Sequence, residues 1–149
     1  MVRLTLQQYL NQLERGEAWG FISTGGPPGN NIAPALTAAN DGELVAVYSR
    51  DLGRGKAFAE KHGAKAAYDS IDELLADSRV DAVFVSSPNH LHAQHGLRCA
   101  AAGKHVLMEK PMTTTLEDAV ALVKGCRENG VTLGMGFMMR HHLGHVQAQ

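Results

Sequence analysis

A lysine beside an acid, Glu109-Lys110, follows a short apolar run and is the pair of side chains best suited to proton chemistry. Both groups are costly to bury at the end of a strand unless they have a role there. A cation in such a place can stabilise negative charge that develops on a substrate oxygen and can assist proton transfer. Glu109 and Lys110 are therefore candidates for a role in the site.

A glycine-rich turn over residues 23–29 follows the first apolar run. A turn of this kind between a strand and a helix lets backbone amides and the positive helix end approach a pyrophosphate. Ser23 stands where the first glycine is usual, and two prolines of the turn supply no N–H. An ordinary glycine-rich turn is the alternative. The predicted cofactor contacts of this turn are Ser23, Gly25, Gly26 and Gly29.

The second apolar run ends at Ser49-Arg50-Asp51. An acid at this place binds the ribose 2′-hydroxyl of NAD, whereas an arginine accommodates the 2′-phosphate of NADP. No acid occupies residues 44–49, so Ser49 and Arg50 favour NADP(H), with Arg54 or Lys56 as helpers. Asp51 keeps NAD(H) possible, and a solvated arginine at a strand end is the alternative interpretation.

Small hydroxyls and a polar cluster follow the fourth apolar run, where Ser86 and Ser87 would let a cofactor lie close to the backbone. Eight histidines raise the question of a metal site. The two clusters are His90, His92 and His95, and His141, His142 and His145. Neither matches an established spacing of zinc ligands, so no metal site is predicted.

The elements that position these residues alternate between β-rich apolar runs and helical segments. Near-continuous apolar runs are typical of parallel strands that helices cover on both faces. We predict an α/β fold, a doubly wound parallel sheet in three αβα layers, with strand order 3-2-1-4-5-6. The predicted strands are Trp19–Ser23, Glu43–Ser49, Ala66–Tyr68, Asp81–Ser86, His105–Glu109 and Val131–Gly136.

Helix ends are also marked in the sequence. Ser70 and Thr115 each begin a capping box, and glycines 63, 103 and 130 follow helical segments, where a left-handed cap favours glycine. Pro88 opens the segment after the fourth strand, where the missing amide costs nothing. Cys99 and Cys126 lie in helical patterns and are predicted to be buried thiols.

Two stretches resemble the glucose–fructose oxidoreductase / inositol dehydrogenase (Gfo/Idh/MocA) family. They are Pro88-Asn89-His90-Leu91-His92-Ala93 and Gly103-Lys104-His105-Val106-Leu107 running into Glu109-Lys110-Pro111-Met112. Ser49-Arg50-Asp51 and residues 134–140 are similar in kind, and the resemblance covers residues 18–145.

The resemblance implies an NAD(P)-binding Rossmann domain with Lys110 beside the nicotinamide, hydrogen-bonded to the substrate oxygen that gains or loses hydride. It places Glu109 at the nicotinamide ribose, Asn89 and His92 along the cofactor, and Arg140 at the nicotinamide end. It also implies a cis bond between Lys110 and Pro111. The expected function is hydride transfer between NADP(H) and a carbohydrate-like or other hydroxyl or carbonyl substrate. A non-catalytic nucleotide-binding or interaction module is the alternative.

The expected organisation is an N-terminal helical extension over residues 1–17 and a dinucleotide-binding domain over residues 18–149. The extension packs on the domain or binds a partner. Family members carry a second, mostly β substrate domain, which is absent from this chain. We therefore expect a fragment, a reduced family member, or a chain completed by a partner or by a homo-oligomer.

Composition excludes several other classes. The chain has 149 residues, a net charge of −1 and 44% hydrophobic residues, so nothing suggests disorder or a nucleic-acid partner. The first twenty residues carry charged and polar groups throughout, and no apolar stretch is long enough to span a membrane. We expect a cytoplasmic protein that acts on a small molecule.

Overall fold

The computed structural model describes residues 18–25, 31–38 and 42–137. Within these ranges six parallel strands form one sheet in the order β3-β2-β1-β4-β5-β6, which confirms the predicted strand order and fold class. The strands are β1 (Ala18–Ile22), β2 (Glu43–Tyr48), β3 (Ala66–Tyr68), β4 (Ala82–Val85), β5 (His105–Met108) and β6 (Leu133–Met135).

Five α-helices and one 3₁₀ turn, Asn89–Leu91, connect the strands within the described ranges. The α-helices are α1 (Ala33–Ala38), α2 (Leu52–His62), α3 (Ile71–Ala76), α4 (His92–Ala101) and α5 (Leu116–Glu128). Helices α1 and α2 pack on one face of the sheet, around Phe21 and Phe84. Helices α3, α4 and α5 pack on the other face, around Val83 and Val106. The result is the predicted three-layer arrangement.

Burial on both faces explains why the central strands are apolar at every position. Phe21 and Ile22 of β1 point to opposite faces and are both fully buried, and β4 is buried along its whole length. Each fully buried large apolar side chain contributes about 1.5–3 kcal/mol relative to exposure. The edge strand β6 is shorter than predicted, because the chain enters the sheet only at Leu133 and leaves it after Met135.

Most helix ends follow the predicted chemistry. The Thr115 hydroxyl accepts a hydrogen bond from the Asp118 amide at 3.1 Å and caps α5. Ser70 occupies the N-cap position of α3, but its side chain makes no cap bond, so the capping box there is only partly realised. Glycines 63, 103 and 130 all have positive φ, between 67° and 76°, as the left-handed cap requires.

The amino edge of the sheet, opposite the strand ends that carry the candidate chemistry, is held by Lys104. Its ammonium donates to the carbonyl oxygens of Val80 at 2.6 Å and Asp77 at 3.1 Å. Hydrogen bonds from Arg79 lower the pKa of Asp77 to about 2, and the Tyr68 hydroxyl also donates to this carboxylate. Lys104 is thus structural.

The two cysteines are buried and unpaired, as predicted, and burial raises the pKa of Cys99 to about 12. Neither thiol is activated as a nucleophile. Among the helices of the described residues, none combines the length and the apolar character that crossing a bilayer requires.

Candidate functional site

The carboxyl ends of β1, β2 and β4 enclose a cleft of about 240 Å³. It lies where an open doubly wound sheet binds its ligand, at the point where the strand order reverses. The residues that line it are Ile22, Ser23, Thr24, Gly25, Tyr48, Ser49, Arg50, Arg54, Ser87, Pro88, Leu91 and His95.

The turn after β1 has a glycine-like backbone at a serine. Ser23 has φ of 104°, a conformation that costs a side-chain-bearing residue about 1–3 kcal/mol. The Ser23 amide donates to the Tyr48 carbonyl at 3.3 Å, and its hydroxyl accepts from the Gly25 amide at 3.5 Å. A serine therefore stands in place of the first glycine of the usual pattern, but its backbone keeps the positive φ that favours glycine.

The end of β2 gathers donors around Ser49, which is 3% exposed. Its hydroxyl lies 3.4 Å from Thr24 Oγ1, from Arg54 Nε and from the amide of Asp51. Arg50 is exposed and lines the same cleft. Two guanidinium groups, a buried hydroxyl and a threonine thus meet at one strand end, which is the donor set that a phosphate monoester needs.

Asp51 turns away from this cluster. Its carboxylate accepts the Arg54 amide at 2.9 Å and forms the N-cap of α2. Asp51 is not among the residues that line the cleft. The acid that keeps NAD(H) possible in the sequence is therefore engaged in capping a helix.

Helix α4, which follows the turn after β4, carries two buried histidines near its start. His95 Nδ1 lies 2.9 Å from Ser87 Oγ, and burial lowers its pKa, with further lowering from Arg98, His92 and His90. His92 is 1% exposed and lies beneath the cleft rather than along it. Its ring nitrogens contact the carbonyl oxygens of Pro111 and Ser87, both at 2.7 Å.

The turn after β5 carries Glu109, a predicted cofactor contact, and Lys110, the predicted catalytic residue. The Lys110–Pro111 peptide bond is cis, as the resemblance implied. Glu109 is 8% exposed, and its carboxylate accepts the Lys110 amide at 2.9 Å. Lys110 itself is exposed. A Cβ at Gly136 would stand 3.4 Å from the Met108 carbonyl oxygen and 3.6 Å from Glu109 Oε1, so the chain after β6 lies close against this turn.

The structure brings together only some of the predicted site residues. Ser23, Gly25, Ser49, Arg50 and Ser87 line one cleft. Ser86 donates to the Ile22 carbonyl at 3.4 Å, Asn89 is exposed on the 3₁₀ turn, and Glu109 and Lys110 form the neighbouring turn after β5. His92 lies beneath the cleft, and the other three predicted residues, Gly26, Gly29 and Arg140, lie outside the described residues, as do His141, His142 and His145.

Besides Arg54, which was predicted as a helper, three cleft residues with polar side chains, Thr24, Tyr48 and His95, were not predicted as site residues from the sequence. Thr24 lay inside the glycine-rich turn, and Tyr48 looked like a strand residue. His95 was considered only as a metal ligand, although its spacing of three from His92 on one helix places both on the same face. In the part of the chain that the structure describes, no three His, Cys, Asp or Glu side chains form a group suited to a metal ion.

Residues 18–137 match the sequence profile of GFO_IDH_MocA, described as an oxidoreductase family with an NAD-binding Rossmann fold. The chain belongs to this family. It is 40% identical over 127 residues to 1,5-anhydro-D-fructose reductase of Ensifer adhaerens, covering 85% of this chain and 38% of that protein. It is 40% identical over 124 residues to D-xylose 1-dehydrogenase (NADP(+)) 2 of Haloferax volcanii, covering 83% and 38%.

One solved structure resembles this chain over most of this chain's length. It is a 3-ketoreductase from Actinomadura kijaniata in complex with TDP-benzene and NADP, in an open conformation. The TM-score is 0.85 at 38% identity, covering 89% of this chain and 42% of that chain. The chain thus spans well under half the length of the Gfo/Idh/MocA relatives it matches.

The pKa of His95 has a measurable consequence. Because the folded pKa lies below 6.5, the unfolded chain takes up the proton first, and stability falls as the pH drops through 6.5 toward the folded value. We expect the His95 ring to titrate below pH 6.5 in NMR spectra. Urea unfolding should show a smaller loss of stability between pH 7 and pH 5 in His95→Gln than in wild type.

His90→Gln is the matched control, since His90 is exposed on the turn that precedes the helix. It should leave the acid loss of stability in place. A His95 ring that is protonated at pH 7 would contradict this account.

Proposed function

We propose that this chain is the cofactor-binding part of an NADP(H)-dependent oxidoreductase that acts on a carbohydrate-like substrate. The observation that carries the proposal is the donor cluster at the end of β2, where Arg50, Arg54 and Ser49 share a cleft that no carboxylate among the described residues lines. The placement of Lys110 at the end of β5 supports the same conclusion.

The residues present fit a dinucleotide with a 2′-phosphate. Arg50 and Arg54 would hold that phosphate, with Ser49 and Thr24 as hydroxyl donors. The turn from Ser23 onward, with glycines 25, 26 and 29, would hold the pyrophosphate. Ser86, Ser87 and Asn89 would lie along the nicotinamide half. NADH would bind through the same turn without the contribution of the two arginines.

Lys110 is the proposed catalytic residue. The bound cofactor supplies or accepts the hydride. Lys110 would donate a hydrogen bond to the substrate oxygen, stabilise its developing negative charge and deliver or remove the proton. The buried Glu109 carboxylate, which accepts the Lys110 amide, would orient the start of this turn and contact the nicotinamide ribose. Arg140 would reach the nicotinamide end.

The names of the relatives, rather than the described cleft, support a proposal for the substrate. They are named as reductases or dehydrogenases of an anhydro-sugar, a pentose and a nucleotide-linked sugar. We propose a small carbohydrate-like hydroxyl or carbonyl compound. Residues 18–149 form the cofactor domain in this proposal, and residues 1–17 are an extension. The groups that would enclose the substrate come from a partner or from further polypeptide.

The first test concerns the choice of cofactor. Arg50→Ala should weaken NADPH binding about ten- to a hundredfold, because a charge-assisted contact is lost, and should leave NADH binding nearly unchanged. Fluorescence titration with both cofactors measures the ratio. Lys61→Ala is the matched control, since it removes the same charge at the far end of α2. Equal losses for NADPH and NADH would contradict the role of Arg50.

The second test concerns Lys110. Lys110→Ala should lower turnover about a hundredfold or more while the NADPH dissociation constant changes by less than about threefold. Absorbance of the reduced cofactor, followed with a panel of sugars, ketosugars and polyols, measures turnover. Lys124→Ala serves as a control for the loss of an exposed lysine. Unchanged turnover in Lys110→Ala would contradict its catalytic role.

The non-catalytic alternative has its own signature in this assay. Lys110 is exposed, and the described cleft contains only the part of the site that would bind the adenosine half. A nucleotide-binding module would bind NADPH through Arg50 and show no turnover with any substrate of the panel. The two cofactor titrations and the substrate panel therefore distinguish the two functions.

We also propose that the chain associates with a second copy through the outer face of α5. Leu116, Val120 and Val123 are 74%, 59% and 40% exposed and recur at helical spacing. They continue into an apolar depression of about 470 Å³ that includes Met112. Helices pack against one another through stripes of this spacing, and such a stripe is unfavourable in water.

Light scattering after gel filtration tests this association. The wild-type chain should be a dimer or larger at micromolar concentration, and Val120→Glu should shift it toward the monomer. Ala121→Glu, at the next exposed position of the same helix, should leave the mass unchanged. A monomeric wild type would contradict the proposal.

A further inference from the structure

His92 is a buried histidine whose two ring nitrogens both face backbone carbonyl oxygens. Nδ1 lies 2.7 Å from the carbonyl oxygen of Pro111, and Nε2 lies 2.7 Å from that of Ser87. The residue is 1% exposed. Solvent therefore has almost no access to either nitrogen.

A carbonyl oxygen can only accept a hydrogen bond, whereas a neutral imidazole can donate only one. Two carbonyl partners are satisfied together only when both ring nitrogens carry a hydrogen. The two distances are short, in the range of hydrogen bonds from a charged nitrogen donor. A neutral ring would leave one lone pair against a carbonyl oxygen in a buried place, which is unfavourable.

We propose that His92 is a positioning residue, a doubly protonated bridge that ties the turn of Lys110 to the turn after β4. This inference rests on the proposed function, because the bridge matters for activity only if Lys110 faces a cofactor. It also replaces the role that the family resemblance implied, in which His92 would line the cofactor directly.

The geometry shows what the bridge connects. Ser87 follows β4 and lines the cleft, whereas Pro111 directly follows Lys110 after β5. His92 begins α4, which packs under both strands through Cys99 and Ala100. The Ser87 hydroxyl in turn contacts His95, so one chain of hydrogen bonds runs from Pro111 to the wall of the cleft. The proposed catalytic turn and the proposed cofactor cleft are thereby held at a fixed spacing.

Several titratable groups lie on the elements that His92 contacts. They are His90, His95, Arg98, Cys99, Glu109 and Lys110. Arg98 is paired with Asp72 of α3. The low pKa of His95 keeps that ring neutral at pH 7, so it does not oppose a charge on His92. Glu109 is the buried carboxylate of the turn to which His92 donates.

The first measurement is made on the wild-type chain without cofactor. At pH 7, ¹⁵N spectra of the histidine rings should show a one-bond proton correlation at both nitrogens of His92. His95 should show the shifts of a singly protonated ring, which provides an internal reference. A singly protonated His92 at pH 7 would overturn the proposal, whatever the chain binds.

The second measurement compares His92→Gln with His90→Gln, since a glutamine amide has a single donor nitrogen and cannot replace both contacts. The carbonyl ¹³C shifts of Ser87 and Pro111 should change only in His92→Gln. NADPH affinity at pH 7 should fall about tenfold in that variant, the size of one buried hydrogen bond, and stay within about twofold of wild type in His90→Gln.

The pH profile separates positioning from general folding. Above pH 7, where the 2′-phosphate is already ionised, wild-type NADPH affinity should fall only as the ¹⁵N spectra show the His92 ring to lose a proton. His92→Gln should give a flat profile. An affinity that ignores the ring transition would overturn the positioning role. If wild type binds neither cofactor, the proposed function fails, while the ring and carbonyl spectra still decide the bridge.

Discussion

Parallel pairing of the central strand β1 is the constraint on which the site depends. Ile22 is in register with Tyr48 of β2 on one side and with Val85 of β4 on the other. Because these three strands end level with one another, the residues that follow them, Ser23, Ser49 and Ser86, reach one edge of the sheet together. Fully buried side chains on both faces of β1 and β4 fix this register, since a shift by one residue would exchange the two faces.

The two edges of the sheet hold their polar groups in different ways. At the amino edge, the Lys104 ammonium donates hydrogen bonds to two backbone carbonyls, and the Asp77 carboxylate accepts hydrogen bonds from Arg79 and Tyr68. At the carboxyl edge, Arg50 and Lys110 are exposed. Lysines six positions apart in one sequence motif thus have different surroundings, because β5 carries the chain from one edge to the other. A motif indicates a family, whereas the position of each residue along its strand indicates what that residue does.

Strand order, layer arrangement and helix caps could be predicted from the sequence, because they depend on apolar periodicity and on residues with strong backbone preferences. The turns could be predicted only in part, since side-chain direction in a turn depends on neighbours that are distant in sequence. Asp51 looked like a possible ribose ligand, yet its carboxylate accepts a hydrogen bond from the Arg54 amide at the start of α2. His92 looked like a cofactor contact, yet the Pro111 carbonyl, nineteen residues away, occupies one of its nitrogens. Ser23 shows the converse. It carries a side chain where a glycine is usual, yet its backbone has the positive φ that a glycine would adopt there.

The capping of α2 by Asp51 has an electrostatic effect on the cleft. A carboxylate near Arg50 and Arg54 would normally weaken their attraction for a phosphate. Here the Asp51 carboxylate accepts the Arg54 amide of the first helical turn, in the place where a helix dipole favours negative charge. The same cap positions Arg54 on the first turn of α2, with Nε 3.4 Å from the Ser49 hydroxyl. One local interaction therefore directs the Asp51 carboxylate to the helix start and holds Arg54 beside Ser49.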